Sequence, residues 1–327
     1  KGVMHSFGNL VQSAISFNNI FAFDSHNIFY HNLPMTYMAG ILNLLILPII
    51  SGSKIVLGKR FNISNISEFW DIPTQYSVNT FWFIPTIIEL LIKLDRNSKW
   101  RQDARSDKII GCVGTAPLNP ITKLEFEQKY SISLYESYGL SETLFVTTNS
   151  PSSDEAGTVG KVIDDAEINF LKDGEIEIKV PWMFLGYHNM KTEQTLKNGW
   201  FPSGDTSICN EKGHHIITGR KKDLIIRGGI NISPKKIEDY IKDHHSTEVV
   251  ILGFPDKFIG EKTVCFFVSN TRFDQKQINK EILQEFGRNY HIDQFVEIVE
   301  IPKNINGKVD KPKIRETYGL EINASGR

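Results

Sequence analysis

This chain of 327 residues has three consecutive parts that differ in their pattern of strands and helices. The order of these patterns constrains the fold more than any other feature. Up to about residue 156, short strands alternate with helices: 54–57 and 108–113 read as strands, and 84–95 reads as a helix with Pro85 in its first turn. Such alternation indicates a largely parallel sheet covered by helices. We therefore predict an α/β core for this part.

The middle of the chain has the pattern of short antiparallel strands. Segments 167–170 and 175–180 alternate polar and apolar residues, and Asp173-Gly174 between them is a strong hairpin signal. We predict a β-rich subdomain over 157–219, which completes a large domain over 1–219.

The last part, 220–327, reads as a separate small domain of α+β type. Ser233 and Pro234 form a strong helix start, with serine as the N-cap and proline at the first helical position. A strand pattern at 248–253 and a helix pattern at 275–290 follow. A segment of about a hundred residues can fold alone, so we predict a small C-terminal domain.

Charge and cysteine usage exclude several classes of function. The formal net charge is −1 at pH 7, so no basic field favours nucleic acid. The three cysteines lie far apart, without CxxC or Cys/His metal spacing, which is typical of reduced thiols in a cytoplasmic protein. The apolar run 41–50 is too short to span a bilayer as a helix, so we expect a buried segment and no membrane span.

Four separated motifs carry the chemistry: Tyr138–Thr143 (YGLSET), 203–205 (SGD), 219–223 (GRKKD) and 306–308 (NGK). Taken alone, each is common in ordinary turns. In this order and at these distances they resemble the adenylate-forming, or AMP-binding, superfamily of acyl-CoA synthetases, peptide-synthetase adenylation domains and luciferases. The resemblance implies that a carboxylate is activated with ATP and that the acyl group is then passed to a thiol.

The resemblance assigns catalytic roles to three residues. Glu142 would bind Mg²⁺, Ser141 would contact phosphate, and Lys308 would contact the carboxylate and the α-phosphate. Attack of an anionic carboxylate on a phosphate brings two anions together, so a metal ion and cationic groups are needed to offset the charge. A compact ammonium suits charge that develops only in the transition state.

The resemblance also implies a nucleotide site. Asp205 would accept hydrogen bonds from the ribose hydroxyls, and Arg220 would contact the ribose and the phosphates. Segments 114–118 (GTAPL) and 138–139 would lie beside adenine, where glycine lets the backbone approach the base. The predicted nucleotide-binding residues are Gly114, Thr115, Ala116, Tyr138, Gly139, Asp205 and Arg220.

The resemblance assigns roles in domain movement and thiol entry to three more residues. Asp223 matches the hinge about which the small domain rotates between adenylation and thiolation. Gly228 and Gly229 match a segment that leaves room for a pantetheine thiol to reach the adenylate. A Gly-Gly turn before a helix is also an ordinary structural feature, and both interpretations can hold together.

An acyl pocket is assigned only by position in the family pattern, at Tyr37, Trp82, Phe83 and Leu140. These side chains are mostly bulky or apolar and suit an apolar acyl group, and Tyr37 stands where histidine is usual. Trp and Phe are also ordinary core residues, so a purely structural role for Trp82 and Phe83 stays open. The acid itself is not readable from the sequence.

The resemblance covers only the later part of the family's length. The chain begins with Lys1-Gly2, which is similar to the end of the family's phosphate loop, and we expect that loop and an upstream portion of the large domain to be missing. A truncated piece, one half of a split enzyme with a partner chain, and a degenerate remnant are the alternatives, and a homo-oligomer also stays open. We expect the isolated chain to be a poor catalyst.

The sequence thus predicts the later part of a large adenylate-forming α/β domain, followed by a small mobile C-terminal domain. The predicted function is an ATP-dependent acid–thiol ligase that forms an acyl-AMP, releases pyrophosphate and transfers the acyl group to CoA. The alternative acceptor is the phosphopantetheine of a separate carrier protein. A non-catalytic nucleotide-binding remnant is a third interpretation.

Overall fold

The computed structural model describes residues 2–96, 100, 109–189, 196–268, 273–304 and 308–324. The chain forms two compact units, and each is described by itself. The first unit comprises Lys1–Ser203 and Ser207–Ile217, and the second comprises Gly204–Thr206 and Thr218–Arg327.

Most of the secondary structure belongs to the first unit, and two of its strands, β12 and β13, contribute residues to both units. The strands are β1 (Val3–Met4), β2 (Ile28–His31), β3 (Lys54–Leu57), β4 (Thr80–Phe83), β5 (Ile110–Val113), β6 (Ser133–Leu140), β7 (Leu144–Thr148), β8 (Lys161–Val162), β9 (Glu167–Phe170), β10 (Glu175–Lys179), β11 (Gly186–Tyr187), β12 (Phe201–Cys209) and β13 (His215–Arg220). The helices are α1 (Phe7–Phe21), α2 (Leu47–Ser51), α3 (Asp71–Gln75), α4 (Pro85–Leu94) and α5 (Pro120–Tyr130), with a π-helical segment at Ala39–Ile46 and a 3₁₀ segment at Ile63–Glu68.

A seven-stranded sheet forms the centre of this unit, with the strand order β3-β2-β4-β5-β6-β7-β8. Neighbouring strands from β3 to β6 are parallel, whereas the pairs β6–β7 and β7–β8 are antiparallel. The predicted α/β fold is confirmed. Ligands of open α/β sheets bind beyond the carboxyl ends of the strands. The segments after β4, β5 and β6 are therefore candidates for ligand binding.

Aromatic residues fill the core on both faces of the central sheet. On one face, Phe17 of α1 stacks on Phe145 with ring centroids 4.1 Å apart, and Trp82 lies 5.6 Å from each of these rings. On the other face, Phe83 packs edge-on against Phe126 of α5 at 5.2 Å. Because successive strand residues point to opposite faces, Trp82 and Phe83 belong to different halves of the core.

Local sequence signals set the helix starts. Helix α1 begins after Ser6, whose side chain accepts the Asn9 N–H, and α5 begins after the N-cap Asn119, with Pro120 in its first turn. The apolar run 41–50 is mostly buried and helical, first as π-type turns and then as α2. No helix in the described part of the chain is long and apolar enough to cross a membrane.

A second sheet of this unit has four strands in the order β13-β12-β10-β9. The hairpin predicted around Asp173-Gly174 is confirmed, because β9 and β10 pair antiparallel from Glu167–Lys179 to Phe170–Ile176. Gly174 has a φ of 81°, a left-handed conformation that glycine adopts without steric cost.

The second unit is a five-stranded sheet covered by helices. Its elements are β14 (Ile225–Arg227), β15 (Ile230–Ile232), α6 (Pro234–His245), β16 (Val249–Asp256), β17 (Gly260–Val268), α7 (Gln275–Phe286), β18 (Gln294–Ile298) and α8 (Lys311–Ala324). The strand order is β15-β14-β17-β16, with β18 parallel to β17. Helices α6 and α7 bury Ile237, Ile241, Ile278 and Ile282 in one apolar cluster, and α8 buries Ile314 and Ile322 in another.

Helix α6 starts at Pro234 as the sequence predicts, but the Ser233 side chain does not cap it. The Ser233 hydroxyl instead donates to the carbonyl oxygen of Thr218 at 3.0 Å. Ser233 is thus the N-cap residue, as predicted, but its side chain makes no capping bond, because its hydroxyl is directed to a carbonyl acceptor elsewhere in the unit.

Candidate active site

The YGLSET motif forms the connection between β6 and β7. The register shifts between Tyr138, which lies opposite Thr147, and Gly139, which lies opposite Phe145. A Cβ at Gly139 would be 1.8 Å from the carbonyl oxygen of Leu144, so only glycine fits this bulge. The bulge sets where the connecting residues, including Ser141 and Glu142, leave the sheet.

Tyr187 holds the carboxylate of Glu142. Its hydroxyl donates to Glu142 Oε1 at 2.7 Å, and Tyr187 is fixed in turn by antiparallel pairing of β11 with β1. Loss of water around the phenol and the hydrogen bond and charge of Glu142 raise the pKa of Tyr187, so the phenol stays protonated and remains a donor. One oxygen of Glu142 is thus oriented by the protein.

His5 anchors the backbone next to Glu142. Its Nε2 lies 2.6 Å from the carbonyl oxygen of Ser141, and since a carbonyl only accepts, this nitrogen carries the proton. Burial lowers the pKa of His5, although the bond to Ser141 and the charge of Glu142 oppose this. The neutral ring therefore positions the Ser141–Glu142 peptide without adding a charge.

The surroundings of Glu142 fit one way of holding Mg²⁺. The described residues contain no group of three or more His, Cys, Asp or Glu side chains that could enclose a metal ion. Mg²⁺ in nucleotide enzymes is usually held by one or two carboxylates together with substrate phosphates and waters. Glu142, with one oxygen oriented by Tyr187, fits that arrangement.

The predicted adenine loop, 114–118, follows β5. Thr115 has a φ of 79°, and its side chain hydrogen bonds with the Tyr37 phenol. The Gly114 N–H points to the Phe83 carbonyl oxygen at 3.4 Å, and the Leu118 N–H donates to Glu136 Oε2 at 3.2 Å. The loop is therefore tied to the sheet on both sides of Ala116.

Glu136, which accepts the hydrogen bond from the Leu118 N–H, is a buried acid. Burial is the main cause that raises the pKa of Glu136 to about 7, and its Oε1 has no hydrogen-bond partner of ordinary geometry in the described residues. The nearby Lys123 ammonium is also buried and bonds both carboxylate oxygens of Asp154, at 2.7 and 2.8 Å. Lys123 lowers the pKa of Glu136 and Asp154 raises it, so the pair only partly offsets the effect of burial.

Replacing Glu136 by glutamine should remove a pH dependence of stability. With its pKa raised from 4.5 to about 7, the folded state keeps a proton on Glu136 that the unfolded state has lost. The free energy of unfolding should therefore fall as the pH rises through this interval, by about 3 kcal/mol. Denaturant unfolding at about pH 5 and about pH 8 measures this slope in the natural protein and in Glu136→Gln.

The control for this prediction is Glu125→Gln on the exposed side of α5. That variant should keep the slope of the natural protein. An unchanged slope in Glu136→Gln would assign the pH dependence to other groups.

Two of the four residues predicted for the acyl pocket, Trp82 and Phe83, lie on opposite faces of the sheet. Trp82 lies on the face of α1, and Phe83 lies in the opposite half of the core. Leu140 is half-buried, and its N–H donates to the Thr143 hydroxyl at 3.2 Å. Tyr37 lies beside Thr115, so Tyr37 joins the predicted adenine loop to its surroundings.

Three predicted residues come together in the second unit. Arg220 Nε pairs with Asp205 Oδ1 at 2.6 Å, and the Asp205 side chain is only 4% exposed. Loss of water around its ammonium, and then the charge of Arg220, lower the pKa of Lys308, while Asp205 opposes this. The result is two cations next to one buried carboxylate. Asn306 and Gly307 of the same motif lie outside the described residues.

Other predicted residues of this unit lie on its turns. Asp223 pairs with Lys311 at 3.1 Å, at the start of α8. Gly228 and Gly229 join β14 to β15 with φ of 55° and 79°, and no atom of the described residues lies within 4 Å of a Cβ at either position. A glycine pair that is both left-handed and open to one side matches a turn, and it also leaves space next to the backbone.

Sequence reasoning missed Tyr187, His5, Glu136 and Lys311 as partners of the predicted residues. Tyr187 is joined to Glu142 across 45 residues of sequence. The other three are joined to their partners across 18 to 136 residues of sequence, for which the sequence has no periodic signal.

The motifs and the geometry agree with the similarity of this chain to known proteins. Residues 1–188 match the profile of the AMP-binding enzyme family. A 2-succinylbenzoate–CoA ligase of Listeria monocytogenes serovar 1/2a is 30% identical over 325 residues, which cover 97% of this chain and 67% of that protein. The enzyme of the same name from Listeria monocytogenes serotype 4b is 29% identical over 327 residues, which cover 98% of this chain and 68% of that protein.

Among solved structures, ATP-bound MatB from Rhodopseudomonas palustris resembles this chain with a TM-score of 0.88 and 25% identity, over 97% of this chain and 65% of that one. The chain thus spans about two thirds of the length of these proteins. Since the family profile matches more than half of the chain, and the similarity extends over nearly all of it, the chain belongs to the AMP-binding enzyme family.

Proposed function

We propose that the protein is an ATP-dependent ligase that joins a carboxylic acid to CoA through an acyl-AMP. The relatives named above are CoA ligases, which favours CoA over a carrier protein as the acceptor. The observation that carries the proposal is the grouping of Asp205, Arg220 and Lys308 in one unit, where a nearly buried carboxylate lies beside two cations.

Each member of this group has a separate role in the proposed adenylation. Asp205 binds the ribose hydroxyls of ATP, and Arg220, which is held by Asp205, binds the ribose and phosphates. Lys308 contacts the carboxylate and the α-phosphate, where its ammonium offsets the charge that accumulates as the two anions approach. Because its surroundings already lower its pKa, this ammonium gains most when an anion arrives.

In the first unit, Ser141 and Glu142 have the proposed phosphate-binding and metal-binding roles. Ser141 contacts phosphate with its hydroxyl, and Glu142 holds Mg²⁺ together with substrate phosphates. Mg²⁺, when bound, supplies charge neutralisation at the phosphates. Tyr187 keeps one oxygen of Glu142 in a fixed orientation, so the other oxygen remains for the metal.

For the second step we propose that the small domain over 220–327 moves about Asp223. Its ion pair with Lys311 joins the hinge to the start of α8. Gly228 and Gly229 leave the space through which a pantetheine thiol reaches the adenylate, which agrees with the open side of both glycines.

The direct test follows pyrophosphate release from ATP and Mg²⁺ by the full-length protein over a panel of carboxylic acids, with and without CoA. Acid-dependent release together with acyl-CoA as the product is expected. Release without acyl-CoA would replace CoA by a carrier-protein acceptor. No release with any acid, together with ATP binding, would indicate a nucleotide-binding protein without ligase activity.

Replacing Tyr187 by phenylalanine should weaken the use of Mg²⁺. The variant loses the hydrogen bond that orients Glu142, and the loss of such an outer partner costs about 10-fold to 100-fold in metal affinity or activity. Pyrophosphate release measured over a range of Mg²⁺ concentrations should show a higher half-saturating concentration, with KM for the acid little changed.

Tyr76→Phe is the matched control, because Tyr76 is 53% exposed and loses the same hydroxyl. That variant should titrate with Mg²⁺ like the natural protein. If the half-saturating Mg²⁺ concentration of Tyr187→Phe equals that of the natural protein, Tyr187 is not a positioning residue for Glu142.

A further inference from the structure

Trp82 differs from the other buried tryptophans of the described residues. It is only 2% exposed, and its indole Nε1 has no hydrogen-bond partner among the residues that the structure describes. The indole N–H groups of the others donate at 3.0, 3.1 and 2.8 Å: Trp70 to Asp95, Trp100 to the Tyr130 carbonyl, and Trp182 to the Thr143 carbonyl. A buried donor without a partner is unfavourable and rare in native proteins, so the Trp82 N–H requires an explanation.

The Trp82 N–H faces the space beside Gly114. A Cβ at Gly114 would lie 3.5 Å from Trp82 Nε1 and 3.4 Å from Ser137 Oγ. In the parallel sheet, Trp82 is the register partner of Cys112, and Cys112 of Tyr135. Gly114 and Ser137 follow these partners by two residues, so all of these positions share one face. The absent side chain of Gly114 leaves room on that face, next to the N–H.

The neighbours of this space are aromatic rings and hydroxyl groups. The rings of Phe17 and Phe145 lie 5.6 Å from that of Trp82. The Ser137 hydroxyl donates to the carbonyl oxygen of Val113 at 3.2 Å, so its proton is already used. None of these neighbours is a cation. Among the described residues, the Trp82 N–H is thus an unused donor in neutral surroundings. It lies beside the predicted adenine loop, and Trp82 is itself one of the residues predicted for the acyl pocket.

We infer that the indole N–H of Trp82 is a specificity-determining donor that binds a neutral acceptor oxygen on the acyl group of the acid substrate. This inference rests on the proposed ligase function and narrows its substrate class to carboxylic acids that carry a hydroxyl, ether or keto oxygen. A second carboxylate would lose its hydration here without gaining a counter-ion, so a neutral oxygen is favoured. An acid without the oxygen would leave the N–H unpaired, and sites of this kind discriminate strongly against such analogues.

The kinetic test compares acids that differ in one oxygen: levulinate against valerate, and meta- and para-hydroxybenzoate against benzoate. With the full-length protein, kcat/KM for adenylation should favour the oxygen-bearing member of at least one pair by about tenfold or more. Trp82→Phe keeps an aromatic ring and removes the N–H. This variant should lose the preference, mainly through a lower kcat/KM for the oxygen-bearing acid.

A second measurement uses the natural protein and does not depend on turnover. With nitrogen-15 in the tryptophan indoles, the Trp82 N–H resonance is assigned by its absence in Trp82→Phe or Trp82→Tyr. It should move when the preferred acid is added and stay in place with the matched apolar acid. The resonance of Trp182, whose N–H is already bonded, should move with neither and serves as the internal control.

The outcomes separate this inference from the proposed function. Adenylation without a preference for the oxygen-bearing acid, with a Trp82 resonance that no productive acid moves, would overturn the role of Trp82 and leave the ligase function intact. A Trp82 resonance that moves with an oxygen-bearing acid that is never adenylated would support the donor role and contradict the ligase function. Neither adenylation nor movement with any acid would overturn both.

Discussion

Replacing Lys308 by alanine should lower acid-dependent pyrophosphate release by about 10²-fold to 10³-fold, the usual effect of removing one group that stabilises transition-state charge. Lys308 lies beside Asp205 and Arg220, and its surroundings lower its pKa. Burial and then the charge of Arg220 lower this pKa, and an anionic transition state would offset that charge, so the ammonium should be stabilised most when that anion forms. The loss should fall on kcat more than on KM for ATP, since Asp205 and Arg220 remain to bind the nucleotide.

Two further measurements make this prediction specific. Transfer of the acyl group from added acyl-AMP to CoA should proceed in Lys308→Ala at nearly the rate of the natural protein, because the role that we propose for Lys308 is in adenylation. Lys303→Ala is the matched control, since Lys303 is five residues away and pairs with Glu248 at 3.0 Å. Equal losses in both half-reactions would show a general structural defect, and unchanged pyrophosphate release would remove Lys308 from the catalytic group.

The elements that the sequence predicts well are those whose signals are local. The hairpin around Asp173-Gly174 and the helices that begin at Pro85, Pro120 and Pro234 follow from turn and first-turn chemistry within a few residues. The run 41–50 shows where local signals end. Its apolar residues indicate burial, but their pattern does not distinguish a strand from π-helical turns followed by α2.

The candidate site also contains residues that local motifs predict and contacts that only the fold determines. Motif order and spacing lead to Asp205, Arg220 and Lys308, and the structure places them together. The contacts between Tyr187 and Glu142, or between His5 and Ser141, join residues that are distant in sequence and depend on how whole strands pair. Alternation along β4 predicts that Trp82 and Phe83 point to opposite faces, but only the packing of α1 and α5 decides which neighbours each one meets.

Replacing Gly139 by alanine should destabilise the protein by roughly 3 kcal/mol or more in free energy of unfolding, the upper range for overpacking. The new methyl group would lie 1.8 Å from the Leu144 carbonyl oxygen and 2.8 Å from its carbonyl carbon. Both are backbone atoms, so no side-chain rotation relieves the clash, and the antiparallel pair β6–β7 must shift. Ser141 and Glu142 lie in that connection, so Mg²⁺-dependent adenylation should fall even in the fraction that remains folded.

Denaturant unfolding and Mg²⁺ titration of activity test this prediction, with Gly8→Ala as the control. Gly8 lies in the first turn of α1, where the nearest atom to a new Cβ is Ser6 Oγ at 3.6 Å, so alanine should be neutral or stabilise by about 0.5–1 kcal/mol.

The result for Gly139→Ala also decides between two explanations of why glycine is present at position 139. If the glycine only lets adenine approach the backbone, the variant should unfold like the natural protein and lose ATP affinity alone. If the bulge requires it, stability and the proposed function of Glu142 should be lost together, because the bulge that excludes a side chain at Gly139 also sets where Ser141 and Glu142 leave the sheet.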